Sequence, residues 1–391
     1  MAFHRGALRA LDELKLVDSI KVVSTVSGGS VFGAAWLCSR LEDRTTTAFL
    51  DGLVDVLEQG FLWPALLSPR AMKVFLPGFT RTDRLAEHFS TSLFGQRKLS
   101  DLPHTPTLCL NAAALNHAMP ARFSQDGFSC SSVGQRLEDG SYPETALDNR
   151  DLGFAVAASA CFPFALPPLT LNQSELPPFQ GSLAGQTELY LTDGGVLENL
   201  GVERLLGSGT FQADDIICCD AGAANSTWAP SLGQSLLSAG AFVMSRQTLY
   251  RLLIMMNDKQ NKTMRQFLMR EMGVISPPPD QRGLWLVRID QTWDGFFTGI
   301  SNGFRRRLAR QAPFPAQWAS AREVVEFLEA QSIDLSRAKA HFQPADAAFA
   351  NSVGTNFTGL SKAAIAALER HAAWQTYACH AVFGGITQGS Y

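Results

Sequence analysis

Two short turns in this sequence carry residues able to cleave an acyl ester. The first is Val26-Ser27-Gly28-Gly29-Ser30. A serine hydroxyl attacks a carbonyl only once it is placed and relieved of its proton. A sharp turn from strand to helix does the placing. It sets Oγ at a helix N-terminus, where free backbone N–H groups and the helix dipole favour developing negative charge. The usual form of such an elbow is G-x-S-x-G, because the turn is tight. Here it reads Thr25-x-Ser27-x-Gly29, with threonine in place of the first glycine. The backbone N–H of Gly28 is the expected first donor to an oxyanion. Gly29 supplies the small residue beyond it.

The second turn is Asp193-Gly194-Gly195. Its plain reading is an ordinary Asp-Gly turn. Its chemical reading makes Asp193 the base for Ser27 without any histidine. That role needs a carboxylate close enough to accept the serine's hydrogen bond and buried enough for its pKa to rise. Gly194 and Gly195 would then let the backbone pass close to the serine turn.

The elements around these turns must bring them together. Leu8, Leu11, Leu14 and Leu16 recur at near-helical spacing, so the chain opens with a helix. Ile20 to Val26 is a β-branched run and reads as a buried strand leading into Ser27. The segment after Gly28 is apolar on most faces and reads as a buried helix. Further strands are expected at Thr107–Leu115, Leu189–Thr192 and Asp215–Asp220, with another at Trp285–Ile289. Helices are expected at Leu152–Cys161, stopping before Pro163, and at Lys362–His371. The proline-rich stretch Phe162–Phe179 reads as irregular. Strands alternating with helices predict a mainly parallel sheet with helices on both faces. Sites in such sheets lie beyond the carboxyl ends of the strands. Ser27, Asp193 and Asp220 all fall there, which suggests one common site.

Rival chemistries remain in view. A Ser–Asp–His triad would combine Ser27 with Asp193 or Asp220 and with His341, His371 or His380. None of these histidines has a turn signal of its own, and a surface position is the plainer reading of His371. A phosphate site at Ser27–Ser30 lacks an adjacent lysine. Phe61, Leu62, Trp63, Leu66, Leu67, Phe75, Leu76 and Phe79 form an aromatic-rich insert. It reads either as a lid that dips into lipid or as core packing.

Composition narrows the class. Of 391 residues, 46% are hydrophobic and 18% charged, a globular balance. A net charge of −3 provides no basic footprint for nucleic acid. Seven cysteines without a C-x-x-C pair predict buried thiols in a reducing compartment, with neither a disulfide framework nor a zinc site. The first residues lack the pattern of a secretory signal, and no apolar run is long enough to span a bilayer. The expectation is a cytoplasmic protein that touches membrane only peripherally.

Taken in order, these blocks resemble the patatin-like phospholipase family. The resemblance rests on Gly6-Ala7-Leu8-Arg9-Ala10-Leu11 in the first helix and on Val26-Ser27-Gly28-Gly29-Ser30. It continues through Ala157-Ala158-Ser159-Ala160-Cys161-Phe162-Pro163, Asp193-Gly194-Gly195-Val196 and Glu198-Asn199-Leu200-Gly201, with a late block at Thr355-Asn356-Phe357-Thr358-Gly359-Leu360. It implies a three-layer α/β fold in one domain over 1–391, its core motifs within 1–222. It also implies a Ser27–Asp193 dyad that hydrolyses phospholipids or other acyl-ester lipids through an acyl-enzyme, with no cofactor and no metal. The family carries a glycine-rich loop ahead of its first helix that completes the oxyanion hole. This sequence opens at Met1, already past that point. The expectation is therefore either a true start upstream of Met1 or an impaired, lipid-binding relative.

Overall fold

The computed structural model describes residues 1–61, 64, 79–131, 133, 147, 150–163, 166–181, 184–206, 215–222, 255–256, 259–268, 283–308, 320–353 and 359–383. The aromatic insert beyond Phe61, apart from 64 and 79, lies outside the described residues. So does most of the late block at 355–360.

The strand entering the elbow is β1 (Val22–Val26), and α2 (Gly28–Leu41) leaves it. Ahead of them runs α1 (Ala2–Glu13), whose apolar face carries Phe3, Ala7, Leu8 and Leu11. α3 (Thr46–Gln59) and α4 (Arg81–Ser92) follow. Next come β2 (Thr107–Ala114), β3 (Met119–Ser124) and β4 (Gly127–Cys130). α5 (Leu152–Ala160) is buried along its whole length. β5 (Leu169–Asn172) and β6 (Glu188–Asp193) complete the main sheet. After the short α6 (Glu203–Leu206), β7 (Asp215–Asp220) pairs in parallel with β8 (Gly283–Arg288) in a second sheet. The chain closes with α7 (Trp293–Leu308), α8 (Ala321–Ala330), α9 (Ser336–His341), α10 (Pro344–Ser352) and α11 (Lys362–Phe383). α11 runs well past the expected end at His371, because Trp374, Tyr377 and Phe383 continue its buried face.

The main sheet is not mainly parallel, and this corrects the sequence expectation. It runs β4-β3-β2-β6-β5, with β1 also on β2. β1–β2 is parallel, whereas β2–β3, β3–β4, β2–β6 and β5–β6 are antiparallel. The reason is connection length. A parallel crossover needs a dozen or more residues. The links β2–β3 and β3–β4 are tight turns with no room for a helix. β5 is the second correction, since a strand does form inside the proline-rich stretch. It is short, fits between Pro168 and Pro177, and pairs with β6 alone as an edge. Edge strands tolerate flanking prolines because one row of backbone groups needs no partner.

β2 is the spine of the molecule. Leu108, Leu110 and Ala114 on one side and Cys109 and Ala113 on the other are all buried, so both faces of the sheet are covered. One hydrophobic core runs from Ala2 to Phe383, and a smaller one gathers Val202, Ile216, Cys218, Leu268 and Leu284 around the second sheet. α1 is clamped to α11. A side chain on Gly6 would collide with the Glu369 backbone. Buried Arg5 donates to the Leu50 carbonyl at 3.0 Å and pairs with Glu369 at 2.5 Å. That clamp fixes where α1 begins.

Candidate active site

Two strand ends meet on one edge of β2. β1 runs parallel to β2 and stops with Val26 opposite Asn111. β6 runs antiparallel and stops with Asp193 opposite Ala112. The carboxyl ends of β1 and β6 therefore converge head-on at adjacent positions of a single strand. Ser27 and Asp193 are brought together by this register.

Ser27 adopts φ 53° and ψ −126°, a conformation non-glycine residues avoid. Holding it costs on the order of 1–3 kcal/mol, which the surroundings must supply. They do so through hydroxyls. The Ser27 N–H donates to the Ser159 carbonyl at 3.1 Å and lies 3.3 Å from Ser159 Oγ. Ser159 Oγ donates to the Asn111 carbonyl at 2.5 Å and lies 2.8 Å from Ser30 Oγ. Ser30 Oγ also reaches Thr25 Oγ1 at 3.0 Å, and Thr25 Oγ1 donates to the Cys109 carbonyl at 3.3 Å. Asn111 Nδ2 donates to the Thr25 carbonyl at 2.9 Å. Thr25 fits where a glycine is usual because α2 makes room for it. A Cβ on Gly33 would come within 2.9 Å of the Thr25 methyl.

Asp193 is 1% exposed. Its Oδ1 accepts the Gly195 N–H at 2.8 Å. Its Oδ2 is buried with no hydrogen-bond partner. Burial pushes its pKa from 3.8 up to about 6, while the adjacent Ser27 hydroxyl and the Gly195 N–H hold back part of the rise. Ser27 is thus close enough to act on the carboxylate electrostatically, although no hydrogen bond of ordinary geometry joins them in this resting state. Catalytic hydrogen bonds commonly tighten only around substrate. Gly194 is needed because a side chain would strike the Asn111 carbonyl, and Gly195 because one would crowd Asn199 and Asp193 itself.

Gly28 opens onto free space, since a Cβ built there meets nothing within 4 Å. Gly29 follows in the first turn of α2. Ser27, Gly28 and Gly29 are only partly buried, so the turn can be approached from outside.

The other sequence candidates sit elsewhere. Asp220, 2% exposed, binds the Arg265 guanidinium at 2.6 Å and accepts the Gly222 N–H at 3.0 Å. Its carboxylate is fully engaged at the end of the second sheet, and the expected common site does not include it. His371 is not at the surface but fully buried. Its Nε2 bonds the Ile289 carbonyl at 3.0 Å and its Nδ1 accepts from Trp374 Nε1 at 3.2 Å. His341 Nδ1 bonds the Arg337 carbonyl at 3.0 Å, and His380 packs edge-on to Trp285. None of the three is bonded to Ser27 or Asp193. The sequence motifs include Ser30 and Ser159 but give neither a role in holding the turn, and they do not point to His4. Among the described residues no cluster of three His, Cys, Asp or Glu side chains could hold a metal. No described helix is long and apolar enough to cross a membrane.

The turn thus sets an elbow serine beside a buried aspartate with one unpartnered oxygen. Residues 1–206 match the family model of the patatin-like phospholipases, which is more than half of the chain. The protein belongs to the patatin-like phospholipase family. A search of curated proteins finds no match. Among solved structures it is similar to human GIVD cytosolic phospholipase A2, with 12% identity and a TM-score of 0.48 over 98% of this chain and 61% of that one. The same human enzyme in complex with methyl gamma-linolenyl fluorophosphonate inhibitor and terbium chloride gives 14% identity and a TM-score of 0.48, covering 99% of this chain and 57% of that one. The chain spans about 61% of the length of the first of these.

Proposed function

We propose that this protein hydrolyses acyl esters of phospholipids or related lipids, with Ser27 as nucleophile and Asp193 as base. The observation that carries this reading is the unpartnered, buried Oδ2 of Asp193 held beside the strained Ser27 turn. A buried carboxylate oxygen without a partner is costly. A proton delivered by Ser27 is what it lacks.

The reaction runs in two halves. Ser27 Oγ attacks the ester carbonyl carbon while its proton passes to Asp193 Oδ2. The carbonyl electron pair moves onto oxygen, which takes a hydrogen bond from the Gly28 N–H. The intermediate collapses, and the departing alcohol oxygen takes the proton from Asp193. Water then gives a proton to Asp193 as it attacks acyl-Ser27. Collapse frees the fatty acid, and the proton returns to Ser27 Oγ. A base with a pKa near 6 is ionised at neutral pH and still basic enough to share the serine proton.

Family membership supports the lipid substrate class. The core running from Ala2 to Phe383 supports one domain over 1–391. Seven cysteines outside any disulfide, six of them buried, support a reducing compartment such as the cytoplasm, with lipid reached by peripheral contact. The test is labelling with a fluorophosphonate probe followed by peptide mapping. Wild type is expected to label at Ser27, and Ser27→Ala not at all. An unlabelled, folded wild type would leave a lipid-binding protein without turnover.

A further inference from the structure

The dyad leaves one polar group at this turn without work. His4 of α1 lies against the start of α2, its ring 5.6 Å from that of Phe32. Its Nε2 faces Gly29, where a Cβ would sit 3.6 Å away. Its Nδ1 is buried with no partner. Burial pushes the imidazole pKa down to about 3, so the ring is neutral. The helix N-terminus beside it also disfavours a cation.

A neutral imidazole carries one N–H, on one nitrogen or the other. A buried N–H without an acceptor is rarer and costlier than a buried lone pair without a donor. The orphaned Nδ1 is therefore the bare nitrogen, and the proton sits on Nε2, toward Gly29. The amides of Gly28 and Gly29 occupy the first helical positions and have no intrahelical acceptor. The first turn of α2 thus presents the donors of Gly28, Gly29 and His4 together, and Gly28 opens onto free space. Donors without an acceptor suit an oxygen that is gaining negative charge.

We propose that His4 is a catalytic residue whose Nε2–H donates to the acyl carbonyl oxygen beside the Gly28 N–H. This rests on the Ser27 reading above. As Ser27 Oγ bonds to the carbonyl carbon, the π pair moves to oxygen, and His4 stabilises that charge without giving up its proton. The bond shortens in the tetrahedral intermediate and relaxes when the carbonyl re-forms. The donor is neutral and already in place, so it costs no reorganisation at the moment of reaction.

The test compares His4→Phe, which keeps the stacking on Phe32 and removes the N–H, with His4→Gln, which restores one. Each is assayed for kcat and KM on a soluble p-nitrophenyl acyl ester and for the rate of Ser27 phosphonylation. His4→Phe is expected to lower kcat roughly 100-fold or more with KM within about twofold, and His4→Gln to recover at least about tenfold of that loss. Gly29→Ala is the control if His4→Phe does not fold. Its methyl makes ordinary contacts with Nε2 and Thr25 yet covers the N–H, so kcat is expected to fall. A labelled wild type with His4→Phe at full kcat, or His4→Gln as impaired as His4→Phe, overturns the role of His4 alone. Full kcat in Gly29→Ala does the same. A wild type that never labels at Ser27 overturns both readings.

Discussion

Two aspartates end two strands of this molecule and look alike in sequence. Asp193 closes β6 before Gly-Gly, and Asp220 closes β7 before Ala-Gly. Both are almost fully buried, and each accepts the N–H two residues on. They differ in what meets the other oxygen. Asp220 Oδ2 is taken by the Arg265 guanidinium, which also binds Asp290 at 3.3 Å. Asp193 Oδ2 has nothing but the neighbouring Ser27. A buried charge is normally paired. The fold satisfies that rule at one strand end and breaks it at the other. Burial alone does not mark a functional carboxylate. The unpartnered oxygen is what sets Asp193 apart from Asp220.

The largest expected effect separates the two directly. Asp193→Asn should lower turnover of an acyl ester by roughly 10⁴-fold or more, the scale of loss when the acidic group of a serine-hydrolase site is removed. Asp220→Asn should leave turnover per folded molecule within a few-fold. Equal losses in both would end the distinction. Stability should show the reverse. Asp220→Asn leaves Arg265 with Asp290 as its carboxylate partner, and urea unfolding should report a loss of about 1–3 kcal/mol.

Asp193→Asn should instead stabilise the fold. The folded pKa of about 6 lies above the ordinary 3.8, so the folded state holds the proton more tightly than the unfolded chain. Stability is then lost as pH rises from about 4 to about 6 and stays low above that. At pH 8 the asparagine variant should gain up to about 3 kcal/mol, and below pH 4 almost nothing. The same ionisation should appear in the rate, with kcat/KM of wild type rising through a midpoint near pH 6. A midpoint near 4 would mean a solvated carboxylate and blunt the contrast with Asp220. The smallest effect concerns the strained turn. Ser27→Gly should be more stable than Ser27→Ala by about 1 kcal/mol, because only glycine accepts φ 53° without strain.

Much of the site is legible in the order of the residues alone. The run into Ser27, the double glycines and the apolar strand before Asp193 are local signals, and local signals survive folding. The sheet direction is not legible in the same way. β4 is four residues, and β3 carries Pro120 at a position that β4 does not pair. Neither has the continuous apolar run that announces a buried strand. Asp220 resembles a site residue because Arg265, which occupies it, is 45 positions away. The hydroxyls of Ser159 and Ser30 are silent for the same reason: their meaning lies in a contact between segments 129 residues apart.

The head-on meeting of β1 and β6 on β2 also has a consequence in time. Ser27 and Asp193 do not meet until β2 has captured both strands, and the Ser27 N–H is tied to Ser159 across 132 residues of chain. Contacts at that sequence separation carry a loop-closure cost that local contacts do not. A ribosome-bound or partly refolded chain would hold a serine no more reactive than one in a peptide. If the proposed function holds, a chain that has not joined these segments would lack the base its serine needs.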